Sequence, residues 1–271
     1  MNYDDAFDST LRPRHDLLSF DEIRAADELI ASGAILAAGF GWLVIWLNTN
    51  QYATGLAISL FGGGFSAFVG VAYVGKKLDM HMNYAVPGLS ELPFVGPALF
   101  KQHPMVYLTL LAALAIAWFF SRTRTGLVLR SVGESPESAH GLGYRVRLMR
   151  MACVMAGGAL CGVAGAYLSV VYAPLWVEGM VAGRGWIALA LTVFATWRPV
   201  RLLLGAYLFG GVMVAQLFVQ GSDLDISIPS QLLSALPYLA TIIVLVIISR
   251  DRNTVRLNAP VSLGQPYRPE G

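Results

Sequence analysis

The sequence predicts an all-α, polytopic integral membrane protein with about seven membrane segments. Of its 271 residues, 56% are hydrophobic and only 13% are charged, whereas a soluble domain carries roughly 25% charged residues. The hydrophobic residues are concentrated in nearly uncharged blocks of about 15 to 25 residues, the length that a helix needs to cross a hydrocarbon core of ~30 Å. A transmembrane β-barrel would instead show alternating strands of about ten residues, which the sequence lacks.

Seven apolar segments follow one another along the chain: 29–48, 52–74, 104–120, 148–173, 184–197, 200–219 and 232–249. The last is the clearest, because its eighteen residues contain no charge. The fifth is short enough to be either a steep helix or a broken one. The chain therefore divides into an acidic, non-membrane N-terminal segment 1–28, a transmembrane domain 29–249 and a tail 250–271.

The orientation is predicted from the lysines and arginines of the loops. The loop 121–150 contains six arginines, which place it in the cytoplasm by the positive-inside rule. Successive segments cross the membrane in opposite directions, so we expect the next loop outside and the C-terminal tail in the cytoplasm. Lys76 and Lys77 conflict with the positive-inside rule, because the same alternation of crossings places their loop outside. The tight turn after the first segment leaves open that this segment is re-entrant.

Small residues at a spacing of four predict where helices pack closely. Gly158 and Gly162 show this spacing, and so do Gly62, Ser66 and Gly70. Small side chains let helix backbones approach each other where lipid supplies no hydrophobic drive. The glycine triplet that begins at Gly62 costs a helix about 1 kcal/mol per residue relative to alanine, so a hinge or crossing point is also expected there.

The sequence offers no constellation for catalysis, metal binding or cofactor binding. The four histidines stand singly, without a cysteine or carboxylate at ligand spacing, and no serine shares a membrane segment with a plausible base. Gly70, Gly75 and Lys76 resemble the start of a phosphate-binding loop, but Lys77 stands where Ser or Thr must hold magnesium. The net charge of +2 without a dense basic block argues against nucleic acid. We therefore expect a non-enzymatic protein.

The middle of the loop 121–150 predicts a short helix. Ser135 is a good N-cap, Pro136 suits the first helical position, Glu137 favours the positive end of the helix dipole, and Gly141 can end the helix. Two interpretations remain open from these residues alone. The helix could anchor the loop to anionic lipid, or it could be a coupling helix that fits a groove on a separate ATPase.

The residues of this loop resemble those of the permease subunits of bacterial ABC importers for simple sugars and nucleosides, within the branched-chain amino acid and ribose permease superfamily. The matching loop residues are 125–127, Arg130, 132–134, Pro136, Ala139, Gly141, Gly143, Val146 and Arg150. The resemblance continues in the stretches 50–70, 156–170, 174–191, 197–211 and 228–252. It spans roughly 31–264, and so covers most of the chain.

This resemblance implies a type II-like ABC importer transmembrane domain in the bacterial inner (plasma) membrane. Its implied partners are two ABC ATPase subunits that bind the ATP, a sister permease or a second copy of the chain, and an extracytoplasmic solute-binding protein. The solute would be a simple sugar or a nucleoside. Coupling to the ATPase is assigned to Arg130, Gly133, Glu134, Ser135, Pro136, Ala139 and Gly141.

A second functional candidate lies where the chain re-enters the bilayer after the fourth segment. Glu178 and Arg184 are the ionisable residues there, and Arg184 stands between Gly183 and Gly185. They could be interfacial charges in water. Alternatively, they mark the N-terminus of a half-helix whose free N–H groups face the transport pathway or an external gate.

The alternative function is an ion-coupled secondary transporter or channel. Such proteins normally bury ionisable residues in mid-membrane, yet the second, third, sixth and seventh segments carry none in their middles.

The N-terminal segment 1–28 differs from the family pattern, because it contains eight acidic residues and three arginines. We expect from this an N-terminally shortened permease, or a sister permease that supplies the missing contacts.

Overall fold

The computed structural model describes residues 20–74, 103–173, 175–181, 183–221, 235, 239, 242, 246 and 260–267. Its helices are, in chain order, α1 (Phe20–Gly41), α2 (Gln51–Gly70), α3 (Pro104–Arg122), α4 (Arg124–Glu134), α5 (Pro136–Gly141), α6 (Val146–Ala166), α7 (Arg184–Phe194) and α8 (Pro199–Gly221). Single π-helical turns, Trp42–Trp46 and Tyr167–Tyr172, extend α1 and α6. All regular structure in the described ranges is helical, and the predicted all-α fold class is confirmed.

Four helices are long and apolar enough to cross a membrane: Asp27–Trp46, Gln51–Gly70, Pro104–Arg122 and Val146–Ser169. They coincide with the first four predicted segments, although α1 already begins at Phe20. The fifth segment forms α7, whose 11 residues extend only about 16 Å and cannot cross a bilayer alone. Most of the segment 232–249 lies outside the described residues, so the count of seven stays a prediction.

The first segment packs along α6 in an antiparallel arrangement. A Cβ atom placed on Gly33 would lie 3.1 Å from the Gly162 nitrogen and would also strike the Gly158 carbonyl oxygen. One placed on Gly41 would lie 2.5 Å from the Met151 sulfur. Later residues of α1 thus meet earlier residues of α6. The segment accompanies α6 over much of its length, which favours a spanning helix over a re-entrant one.

A tight reversal joins α1 to α2. Asn48 adopts a left-handed conformation with φ of 50°, and both the amide and the hydroxyl of Thr49 donate to the Leu43 carbonyl, at 3.2 and 3.0 Å. The Asn50 side chain then caps α2 by accepting from the amides of Tyr52 and Ala53. Satisfying these terminal amides lets the chain turn within a few residues.

The contacts of α2 identify the two ends of the bundle. At its start, the Tyr52 hydroxyl lies 4.0 Å from a Cβ position on Gly264, in the tail. At its other end, Gly70 is buried against the indole ring of Trp176. The tail also meets the loop 121–150, because Pro260 lies 3.5 Å from a Cβ position on Gly133. Tail and loop therefore share one end, and the region of Trp176 is at the opposite end, which is the relative arrangement that alternation predicts.

The predicted small-residue face of α2 is only partly used. Gly70 packs on Trp176, but a Cβ atom on Gly62 would meet nothing within 4 Å, and Ser66 is exposed. The helix also runs without interruption through the glycine triplet. Among the described residues, Gly62 and Ser66 thus form no helix crossing, and the expected hinge is not seen.

Candidate functional site

Helices α4 and α5, together called the α4–α5 unit, follow α3 after a sharp bend at Thr123. The Thr123 hydroxyl donates to the Phe119 carbonyl at 2.6 Å, and its oxygen accepts from the Gly126 amide at 3.0 Å. Gly126 is buried at the inside of this bend. A Cβ atom there would strike the Phe119 carbonyl oxygen and lie 2.9 Å from the Phe120 Cα. Only glycine allows so close an approach of the two helices.

Helix α5 begins as the sequence predicts. Ser135 is its N-cap, since the Ser135 oxygen accepts from the Ser138 amide at 3.3 Å. Pro136 occupies the first position and Glu137 lies in the first turn. These local interactions satisfy the free amides and complement the dipole of the helix.

The end of α5 differs in one detail from the prediction. Gly141 is the last helical residue, but the reversal itself is made by Gly143, whose φ is +88°. The Gly143 amide donates to the His140 carbonyl at 2.8 Å. Positive φ is the conformation that glycine adopts at little cost, so Gly143 redirects the chain towards α6.

A compact apolar cluster holds the α4–α5 unit to α6. It contains Val132 of α4, Ala139 of α5, Val146 of α6 and Tyr267 of the tail, with Met149 packed against it. Val146 and Ala139 are only 1% and 2% exposed. Three helices and the tail each contribute one side chain, so the cluster joins them into one packed body.

Polar contacts fasten the tail to the same place. The Ser262 amide and hydroxyl both donate to the Gly133 carbonyl, at 3.1 and 2.6 Å. Arg150 donates to the Gln265 carbonyl at 3.3 Å and to the Ser262 hydroxyl at 3.2 Å, and its guanidinium lies 5.6 Å from the centre of the Tyr267 ring. These tail residues were not predicted from the sequence. The one feature that distinguishes residues 260–267 in the sequence is that they are uncharged, whereas the preceding stretch 250–256 is basic.

Among the described residues, none covers the outward face of the α4–α5 unit, so this face is free to bind another subunit. Leu142, directly after α5, is 77% exposed, and Glu134 and Arg130 are also exposed. A Cβ atom on Gly141 would meet nothing within 4 Å. Of the seven residues assigned to coupling, Ala139 and Gly133 instead face inward: Ala139 lies in the apolar cluster, and Gly133 contacts the tail.

In the re-entry region, a left-handed glycine precedes a helix that has no side-chain N-cap. Gly183, with φ of +81°, precedes α7, and Arg184 is its first residue. The Arg184 guanidinium lies 5.2 Å from the centre of the Tyr172 ring, a cation–π contact. Gly185 has open space around its Cβ position, and Glu178 is exposed. The ring of Tyr172 thus ties α7 to the helix before it.

Comparisons with known proteins identify the chain's relatives. The family model described as the branched-chain amino acid transport system permease component matches residues 29–248. A putative glucose ABC transporter permease protein, TsgC13 of Haloferax volcanii, is 40% identical over 89% of this chain and 79% of its own length.

Two further relatives are named for nucleosides. The nucleoside ABC transporter permease protein NupC of Lactococcus lactis is 32% identical over 80% of this chain and 71% of its own. The guanosine ABC transporter permease protein NupQ of Bacillus subtilis is 32% identical over 88% of this chain and 75% of its own. No solved structure matches the chain.

Proposed function

This chain belongs to the family of branched-chain amino acid transport system permease components and is a multi-pass permease subunit of an ABC transporter, and on that premise we propose that it imports a simple sugar or nucleoside. ATP hydrolysis in separate ATPase subunits would drive the import, and an extracytoplasmic binding protein would deliver the solute. The similarity to ABC permeases for sugars and nucleosides favours this function over the ion-coupled alternative.

The observation that supports ATPase coupling most directly is the outward face of the α4–α5 unit. The buried cluster packs one side of the unit against α6. The opposite side exposes the apolar Leu142 beside the open surface at Gly141. The exposed Leu142 and the open space at Gly141 leave room for a partner subunit on this face. Helix α5 itself contains Glu137 and no lysine or arginine, so attraction to anionic lipid would have to come from the arginines that flank the helix and not from α5.

The proposed substrate class is uncharged. The middle turns of the four spanning helices contain no Asp, Glu, Lys, Arg or His. A charged solute crossing between such helices would lack a counter-charge in a medium of low dielectric constant. Glucose and guanosine, which appear in the names of two relatives, are both neutral and rich in hydroxyl groups. A neutral polyhydroxylated solute therefore fits the chain best.

The coupling site is tested with Gly141→Val in the complex assembled with its ATPase. Since a Cβ atom at Gly141 would meet nothing within 4 Å in the described chain, the permease should insert and fold normally, and any steric conflict falls on the partner. Overpacking an interface costs about 1–3 kcal/mol, which corresponds to roughly 5-fold to 150-fold weaker docking. We expect solute-stimulated ATP hydrolysis to fall accordingly.

Gly211→Val is the matched control, because Gly211 also has open space at its Cβ position but lies on α8. Full stimulation in Gly211→Val together with a loss in Gly141→Val supports the docking face. Full stimulation in both variants would overturn it, and the lipid-anchor interpretation would then be favoured.

The proposed orientation places the α4–α5 unit and the C-terminus in the cytoplasm. Leu142→Cys and Glu178→Cys are introduced separately into a chain whose Cys153 and Cys161 are replaced by alanine. An impermeant maleimide added to intact cells should label Glu178→Cys and should reach Leu142→Cys only after lysis. Labelling of Leu142→Cys in intact cells would contradict both the orientation and the docking of an internal ATPase.

A further inference from the structure

We propose that residues 260–267, called the tail clasp, are a positioning element that makes α4, α5 and α6 move as one lever when the ATPase moves α5. The proposal rests on the coupling function proposed above. It assigns a mechanical role to a segment that composition alone identifies only as a tail.

The chain buries a group of apolar side chains where α4, α5 and α6 meet. Val132, Ala139, Val146 and Tyr267 are all less than 9% exposed and lie at the end of the bundle, beside the loop rather than between the spanning helices. Three of the four come from α4, α5 and α6, and the ring of Tyr267 is shared among them. Removing this ring would leave a cavity where the three helices meet.

The tail clasp has a polar anchor at the end of α4. The Gly133 carbonyl belongs to the last turn of α4, whose carbonyls lack partners within the helix. Two donors from Ser262, its amide and its hydroxyl, satisfy it. Arg150 of α6 donates to the same hydroxyl and to the Gln265 carbonyl. Ser262 therefore connects the end of α4 to the start of α6 through one side chain.

A short linker connects α5 to α6 along the chain. It consists of residues 142–145, which are all exposed, and it turns at Gly143 with φ of +88°. Its amides bond back to α5, as from Tyr144 to the Ala139 carbonyl at 3.1 Å, so these bonds close the end of α5 and do not tie it to α6. Exposed hydrogen bonds of this kind open at a low free energy, so the linker alone transmits force poorly. The tail clasp bypasses this linker. A displacement of α5 is then passed to α6 and, through the close packing at Gly33, to α1.

The experiment compares Tyr267→Ala with Tyr267→Phe. The Tyr267 hydroxyl is buried and has no hydrogen-bond partner in the described chain, so phenylalanine keeps every ring contact and loses no bond. Alanine removes the ring. Hydrogen exchange of residues 136–145 in the purified permease should be about tenfold faster in Tyr267→Ala and unchanged in Tyr267→Phe.

The functional readout is the ratio of solute-stimulated to basal ATP hydrolysis in the assembled complex. Tyr267→Ala should retain the ATPase and its basal rate but lose most of the stimulation, whereas Tyr267→Phe should behave as the unchanged chain. Ser262→Ala should show a smaller loss, which Ser262→Thr restores because threonine keeps the hydroxyl. This pair preserves the test if Tyr267→Ala does not fold.

The outcomes separate the tail clasp from the coupling site. If Gly141→Val loses stimulation while Tyr267→Ala and Ser262→Ala keep it, the tail clasp is overturned and the coupling site stands. If all three variants keep full stimulation, the coupling site itself is overturned, and the clasp with it. Loss of stimulation in Tyr267→Ala but not in Tyr267→Phe supports the proposal.

Discussion

Replacing Gly158 with valine is expected to lower the Tm of the purified permease by about 2–12 °C, since overpacking costs about 1–3 kcal/mol and each kcal/mol shifts Tm by roughly 2–4 °C. A side chain at Gly158 would enter the contact between α6 and α1. Its Cβ atom would strike the Ala37 methyl and lie 2.5 Å from the Gly33 carbonyl oxygen. The clash involves backbone, so the two helices would have to separate.

The neighbouring glycine supplies the control for this prediction. A Cβ atom on Gly157 would meet nothing within 4 Å, although Gly157 directly precedes Gly158 in the same helix. Gly157→Val should therefore leave the detergent-solubilised Tm nearly unchanged. Equal Tm values for Gly158→Val and Gly157→Val would show that α1 does not pack on this face of α6.

The α1–α6 contact also shows what a sequence pattern can and cannot predict. The spacing of Gly158 and Gly162 indicates that one face of α6 is flat, but not which helix lies on it. The partner face carries Gly33, Ala37 and Gly41, which repeat at the same spacing. Comparing the two repeats could have suggested the pair. By contrast, Gly62 and Ser66 have the spacing and no partner within the described residues.

At the candidate site, too, local interactions can be predicted from the sequence, whereas contacts between distant residues cannot. The start of α5 depends on Ser135 and its next three residues, so the sequence predicts it. The tail clasp depends on contacts such as that between Ser262 and Gly133, 129 residues apart. No periodicity or capping pattern reports a contact of this kind, because the groups meet only after the helices between them have packed.

Gly126→Val should have the opposite profile from Gly158→Val: it should abolish solute-stimulated ATP hydrolysis while leaving the packing of α1 on α6 intact. Gly126 lies at the inside of the bend between α3 and α4, where a Cβ atom would strike the Phe119 carbonyl oxygen and lie 2.9 Å from the Phe120 Cα. The backbone of α3 cannot yield without opening the bend. The bond from the Gly126 amide to Thr123 would break as well.

Opening this bend would displace the α4–α5 unit without altering any residue of its docking face. Hydrogen exchange should accelerate in α4, by about tenfold for a loss of ~1.4 kcal/mol, while the amides of α6 keep their protection. Leu127→Val is the control, because it places valine on an exposed position in the same helical turn without removing a side-chain hydrogen bond. If Gly126→Val retains full stimulation, the bend does not set the position of α5.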